Sequence, residues 1–332
     1  QSIMRVFPNG SGLLLGLFLT FAAAWVWPNG ALVAESLFSI SDIAVVVIFL
    51  IQGWNLRAKR ISLIWKDYPN LLVIQGFIFW VPLFFVLFLE EINFLPAQWI
   101  DGFIFLAILP TTISSCVVYT SMAGGDSDLA LGHATLSNLL AVIWVPFAWL
   151  IFGIDSEIGI QDQWVSTGRQ VFPQIFLLVL FPCFVGWIAR KVFSKSGENK
   201  FDHYLKKSTF FCILFLAYLA LSKSILRSGE VNFFNSLIFL LPYLLVFLVF
   251  HLLVSWLGTL IFSRNRSFEV AKFYCMSQKS LAMGLPLAGV LIVGESDLGS
   301  RIVCPLILYH FLQLLAGACL ISRLKEWITR TC

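Results

Sequence analysis

Four polar residues in succession, Ser277, Gln278, Lys279 and Ser280, interrupt a largely apolar run over 270–294. A cationic side chain at bilayer depth costs several kcal/mol and marks a substrate or ion path. The competing reading is a lysine that snorkels to the surface. Against it, seven residues separate Lys279 from Lys272, and an apolar half-span follows. An ammonium at the carboxyl end of a half-helix would neutralise its dipole, the task of a bound cation. A second interruption, PTTISSC (Pro110–Cys116), supplies the hydroxyls of Thr111, Thr112, Ser114 and Ser115. Pro110 cannot donate a backbone hydrogen bond and clashes with the preceding turn, so it kinks or breaks a helix.

Ser114 and Ser280 are 166 positions apart, half of the 332-residue chain. Polar, turn-prone residues at bilayer depth are tolerated where the backbone lines a protein-enclosed cavity. Interruptions at corresponding places in two halves point to a transporter binding site. One such stretch alone would read as a kink between packed helices; two in register read as broken helices whose ends meet. The expected substrate contacts are Thr112, Ser114, Ser115, Cys116, His133, Ser277, Lys279 and Ser280. The net positive crossing favours a small anionic substrate. Gln75, in LLVIQGFIF, is a buried amide, either satisfied in the core or lining the site. His133 and Ser137 share a helix face, with Asn138 beside it; packing between helices is the alternative role for His133. His251 and His310 are single histidines in apolar runs and read as packing residues.

These residues need a scaffold, and composition says which. The chain is 59% hydrophobic and 12% charged, against about 25% charged in soluble domains. Lipid must therefore be the solvent for most of it. A span needs about 20 mainly apolar residues, and ten candidates emerge: 11–27, 37–55, 70–89, 100–122, 129–153, 171–191, 208–226, 233–262, 270–294 and 300–322. The stretch 233–262 is long for one upright span and is expected to include an interfacial or tilted portion. The first run, Ser11–Trp27, reads as a span rather than a secretory signal.

Placing alternate loops on one side collects Arg5; Arg57, Lys59, Arg60 and Lys66; Arg190, Lys191, Lys195, Lys200, Lys206 and Lys207; and Arg264, Arg266, Lys272, Arg323, Lys325 and Arg330. These are 17 of 22 basic residues. The opposite loops hold Arg169, Lys223, Arg227 and Arg301. Cytoplasmic loops carry the excess of Lys and Arg, so both termini are expected to be cytoplasmic, in the cell's inner (plasma) membrane. This sidedness also accounts for the net charge of +4 without a nucleic-acid partner. Five spans per half is an odd number, so the second half enters from the opposite side, as in inverted repeats. The seven cysteines form no CxxC pair, and neither a disulfide framework nor a zinc site is indicated. An intramembrane hydrolase using a serine and His133 lacks GxSxG, HExxH and clustered carboxylates.

PTTISSC with TSMAGG behind it, and SQKSLAMGLPLA in the ninth span, resemble the bile acid/sodium symporter superfamily, most closely its bacterial symporter-like branch. The likeness runs from LLLGLFL onward. It implies an all-α membrane fold of ten helices in two inverted five-helix repeats, with broken helices four and nine crossing in a core domain flanked by a panel. The panel would be residues 1–69 and 154–231, the core 70–153 and 232–332. Substrate is expected between them, near the crossing. The resemblance also implies a secondary active transporter for a small organic anion, working by alternating access as a monomer or homodimer. No organic cofactor is implied. A Na+ site would draw on Gln75, Ser115, Thr135 and Gln278, with Cys116 where a ligand Asn stands. Tyr274 replaces the ligand Glu one turn before Gln278, so the usual countercharge is missing and Lys279 would substitute for one ion. Two further readings are metalloid efflux through Cys116, as in related arsenite exporters, and a membrane sensor that binds without translocating.

Overall fold

The computed structural model of the chain describes residues 11–30, 40–56, 64–153, 173–193, 198–291 and 296–329, and all their regular structure is helical. In chain order the helices are α1 (Ser11–Val26), α2 (Ile40–Asn55), α3 (Tyr68–Glu91), α4 (Ile100–Ile108), α5 (Ile113–Met122) and α6 (Ser127–Phe152). There follow α7 (Phe181–Phe193), α8 (Glu198–Ser228), α9 (Glu230–Thr259), α10 (Arg266–Met276), α11 (Leu281–Leu291) and α12 (Ser296–Thr329). A π-helical turn, Phe176–Leu180, leads into α7. Of the basic residues used to assign sidedness, Arg5, Arg57, Lys59, Arg60, Arg169, Lys195 and Arg330 lie outside the described residues.

Among the described residues six helices are long and apolar enough to cross a membrane, or seven if the segments either side of 109–112, bent by 61°, count as one. Exposure is inverted relative to a soluble protein. α9 turns Phe234, Ile238, Leu245, Val249, Leu253 and Leu257 outward, while Gln75, His133, Lys279, His310 and Gln313 are buried. Only hydrocarbon solvates that outer surface without cost. The chain is a multi-pass membrane protein. Most of the long stretch 233–262 falls within one helix, Glu230–Thr259, continuous through Pro242, and a helix of that length can fit the bilayer by tilting, one of the two expected alternatives.

Both interruptions are true breaks. Leu109 is extended (φ −70°, ψ 150°), as expected of a residue before proline, and helix resumes only at Ile113. α10 stops at Met276, residues 277–280 are non-helical, and Ser280 Oγ accepts the Met283 N–H at 3.2 Å to start α11. The breaks touch directly: the Ser280 N–H donates to the Pro110 carbonyl at 2.8 Å. Outside the breaks, Asp126 caps α6 through the Asp128 and Leu129 N–H groups, and Asn265 caps α10 through Phe268 N–H.

α2 and α7 form the most extensive helix pair, α1 lies on α8, and α8 also meets α2, α9, α11 and α12. Helices α3 to α6 and α9 to α12 surround the breaks. One of the basic residues used for sidedness is enclosed: Lys272 is fully buried. Its ammonium donates to Asn70 Oδ1 at 2.8 Å and to the Ile261 carbonyl, because the turn after α9 folds back over it. Beside it, Arg264 and Asp67 form an ion pair at 2.9 Å.

Candidate functional site

Lys279 sits in the α10–α11 break at 1% exposure. Its Nζ donates to three carbonyl oxygens: Ile78 at 2.6 Å, Ala107 at 2.6 Å and Leu109 at 2.9 Å. Sequence frees each of them. Ala107 and Leu109 stand at the carboxyl end of α4, where helical carbonyls lose their partners. Ile78 lies inside α3, but the residue four positions on is Pro82, which has no N–H to give. Three ammonium protons thus meet three orphaned acceptors, and the lysine neither snorkels outward nor faces open space.

The backbone of Lys279 is held as firmly as its side chain. Gln313 of α12 accepts the Lys279 N–H at Oε1 (2.7 Å) and donates from Nε2 to the Lys279 carbonyl (2.6 Å). The same Nε2 donates to His310 Nδ1 at 2.7 Å. One turn of helix before Gln313, Tyr309 shares a 2.8 Å hydrogen bond with His251 Nδ1. Gln313 has no counterpart among the sequence-derived candidates, and the two histidines read as packing residues stand in its neighbourhood. An amide in LYHFLQLLAG has no sequence signal beyond its polarity in an apolar run.

The remaining candidates separate into groups. Ser115 Oγ donates to Gln278 Oε1 at 3.0 Å, joining α5 to the second break. Cys116 and Cys275 approach to 3.5 Å between sulfurs, and Cys275 also reaches the Ala130 carbonyl at 3.6 Å. Tyr274 donates to the Gly317 carbonyl at 3.0 Å. Gln75 Nε2 donates to the His133 carbonyl at 3.4 Å, while Gln75 Oε1, His133 Nδ1 and Ser277 Oγ are buried without a partner. Thr135 returns its hydroxyl to the Leu131 carbonyl in its own helix, at 2.6 Å. Thr112 and Ser114 hydroxyls lie 3.4 Å apart, Thr112 buried and Ser114 exposed. Of the residues suited to Na+, the structure pairs Ser115 with Gln278 and puts Gln75 on the His133 backbone; Thr135 turns elsewhere. Among the described residues no group of three or more His, Cys, Asp or Glu could hold a metal ion, but a Na+ site of neutral oxygens needs none of these. Gln75 Oε1, without a partner, is an acceptor available to such an ion.

A crevice opens beside this crossing, between α2 and α7 on one side and α5, α6 and α11 on the other. It is lined by Gln52, Asn55, Ile113, Thr135, Asn138 and Met283, among others. Asn138 is fixed by donating to the Thr111 and Ala134 carbonyls, at 2.8 and 2.7 Å. Ile113 and Ser114 open α5, and the Thr112 side chain does not cap them, so free N–H groups are offered there to an acceptor. The interior volume is about 10 Å³, room for about one water molecule. A metabolite enters only if the two helix groups part.

A family model described as the SBF-like CPA transporter family (DUF4137) matches residues 11–326. The chain is 26% identical over 330 residues to sodium/bile acid cotransporter 7-A of Xenopus laevis, spanning 95% of this chain and 92% of the relative. Against sodium/bile acid cotransporter 7 of Rattus norvegicus the identity is 26% over 331 residues, with 95% and 92% covered. It is also 28% identical over 297 residues to YfeH of Escherichia coli (strain K12), whose name makes it a symporter provisionally, with 87% of this chain and 85% of that protein covered.

Proposed function

This chain belongs to the SBF-like CPA transporter family, whose members are transporters and not enzymes, and we propose that it is a secondary carrier moving a small organic anion by alternating access. The observation that carries this reading is the crevice at the crossing, closed to about one water's volume between α2 and α7 on one side and α5, α6 and α11 on the other. In this proposal each broken pair is one span, making ten among the described residues, five to a half, and an odd number per half is what the inverted arrangement of such carriers requires. On this reading the panel is residues 1–69 and 154–231, the core 70–153 and 232–332, and the protein works as a monomer or homodimer. Both termini face the cytoplasm of a plasma membrane, by the distribution of Lys and Arg.

The anionic group meets the uncapped start of α5, where N–H groups and the exposed Ser114 hydroxyl are free to donate. The amides of Gln52, Asn55 and Asn138 read the rest of the molecule. Lys279 serves from behind this wall: it holds a fixed positive charge at the crossing without touching substrate. Sodium appears in the names of the relatives. Here the carboxylate expected beside Gln278 is Tyr274, and Lys279 stands in for one ion, so at most one Na+ accompanies the substrate. The test is counterflow of small labelled carboxylates in proteoliposomes, with sodium and with potassium. Exchange that persists without sodium supports the reading. Saturable binding with no counterflow would make the protein a sensor. Strict dependence on two sodium ions per substrate would remove Lys279 as a surrogate.

A second reading has one observation in its favour. Cys116 is not alone but faces Cys275 across α5 and α10 at 3.5 Å, and paired soft sulfurs suit a thiophilic metalloid better than one. If the cargo is trivalent arsenic, Cys116→Ser and Cys275→Ser each abolish the arsenite resistance conferred on a sensitive host. Unchanged resistance in either variant removes metalloid efflux.

A further inference from the structure

The three carbonyls around Lys279 have a property independent of the lysine itself. They converge on one point within 2.6–2.9 Å, from α3 and from the end of α4. Each lacks its helical partner for a reason written in the chain: Pro82 for Ile78, and the stop imposed by Pro110 for Ala107 and Leu109. The partners recorded for Nζ are all carbonyl oxygens, none a carboxylate. Rings of main-chain carbonyls are the ligands with which proteins replace the hydration shell of a monovalent cation. The carboxyl end of α4 adds the negative pole of its dipole at the same point. The backbone of Lys279 is separately clasped by Gln313, so removing the side chain leaves the break itself in place.

We infer that the Lys279 ammonium fills a built monovalent-cation site, formed by the Ile78, Ala107 and Leu109 carbonyls, which a free cation occupies once the lysine side chain is cut back. In the native chain the cation is tethered. It cannot leave with the substrate, so this position supplies charge to the crossing without adding to the ions carried per cycle. Cutting Lys279 back to alanine vacates the volume of three side-chain carbons and the ammonium, which a potassium or sodium ion with water, or a short primary ammonium ion, can refill. Methionine at the same place fills that volume with neutral atoms and leaves no room for an ion.

The inference rests on Lys279 as a resident charge but not on transport. Its test needs no substrate: melting midpoints of wild type, Lys279→Ala and Lys279→Met, in detergent, at equal ionic strength. The four buffers contain the chloride of sodium, potassium, ethylammonium or the bulky cation N-methylglucamine. A site loaded tenfold above its Kd raises the midpoint by about 3–5 °C. That rise is expected for Lys279→Ala in at least one of the three small cations, saturating with concentration, over and above any rise in wild type. Lys279→Met is expected to gain nothing beyond wild type. Taking the difference from wild type cancels a sodium site elsewhere in the molecule. If Lys279→Ala is recovered as a monodisperse protein only when purified in a small cation, that selectivity is the same positive result. Equal midpoints for Lys279→Ala in all four buffers, or failure to recover it from any of them, overturns the inference. So does an equal gain in Lys279→Met. A failed counterflow experiment leaves a cation-dependent midpoint standing, and flat melting curves leave the carrier standing.

Discussion

Lys279→Met is expected to abolish counterflow and to lower the melting midpoint by roughly 6–15 °C, from about 3–5 kcal/mol of lost stability. Two effects oppose each other at this position. Replacing a buried ammonium by a thioether removes the cost of desolvating a charge. It also strands three carbonyls that sequence has already deprived of helical partners. Each unsatisfied buried acceptor costs about 1–3 kcal/mol, and removing one side of a buried charged arrangement is destabilising even where replacing both sides would be neutral. The stranded acceptors win because no water reaches a residue at 1% exposure. Lys279→Gln keeps donors but no charge. Stability is therefore expected to fall in the order Lys, Gln, Met, whereas transport falls to background in both variants, since the fixed charge is gone from each. Differential scanning fluorimetry in detergent gives the first order and proteoliposome counterflow the second. Lys279→Met as stable as wild type would show that the carbonyls are satisfied some other way, and transport by it would remove the charge from the mechanism.

The two breaks were legible in the sequence because the residues that make them have few other uses inside lipid. Pro110 and the Ser277–Ser280 stretch are poor choices for any buried helix, and both become non-helical segments. The course of α9 was less legible, because length alone does not separate a tilted helix from one with an interfacial tail; Glu230–Thr259 is continuous. Side-chain partners were the least legible. Lys279 was a clear signal, but nothing in the sequence marks Pro82 as the residue that frees one of its acceptors. Its consequence appears only when α3 and the second break are placed side by side, 201 positions apart. Gln313 and the Cys116–Cys275 approach have the same character. They join residues 34 and 159 positions apart, and neither an amide nor a thiol in an apolar run carries a pattern that names its partner. Lys272 marks the limit of charge counting: its sign suggests a side of the membrane but not its enclosure, and it is fully buried.

The largest effect away from the crossing is expected where α2 meets α7. A Cβ on Gly53 would lie 1.8 Å from the Cys183 carbonyl oxygen, and one on Gly186 would lie 1.9 Å from the Leu50 carbonyl oxygen. The two glycines are reciprocal: each admits the backbone of the other helix. Small residues at such contacts let membrane helices approach closely, and dispersion between them replaces the hydrophobic effect that lipid does not supply. The obstructing atoms are main chain, not the flexible end of a side chain, so Gly53→Ala must push two helices apart along their contact. The expected loss exceeds about 4 kcal/mol, the range in which single substitutions become exceptional, and the protein is expected to be recovered aggregated or not at all. Gly76→Ala is the control. It makes the same chemical change in α3, one residue from Gln75, where an added Cβ meets nothing within 4 Å. There the gain in helix propensity, about 1 kcal/mol in water, leaves the midpoint unchanged or raised. The contrast also bears on transport, because Gln52 and Asn55 lie on α2 at the crevice, either side of Gly53. The reciprocal change, Gly186→Ala, meets the Leu50 carbonyl oxygen almost as closely and is expected to cost transport even in whatever fraction folds. Displacing α2 moves both amides relative to Ile113 and Asn138 on the far wall. Gly53→Ala with a midpoint equal to that of Gly76→Ala would mean that α2 and α7 are not in contact as described, and the crevice wall they form would have to be redrawn.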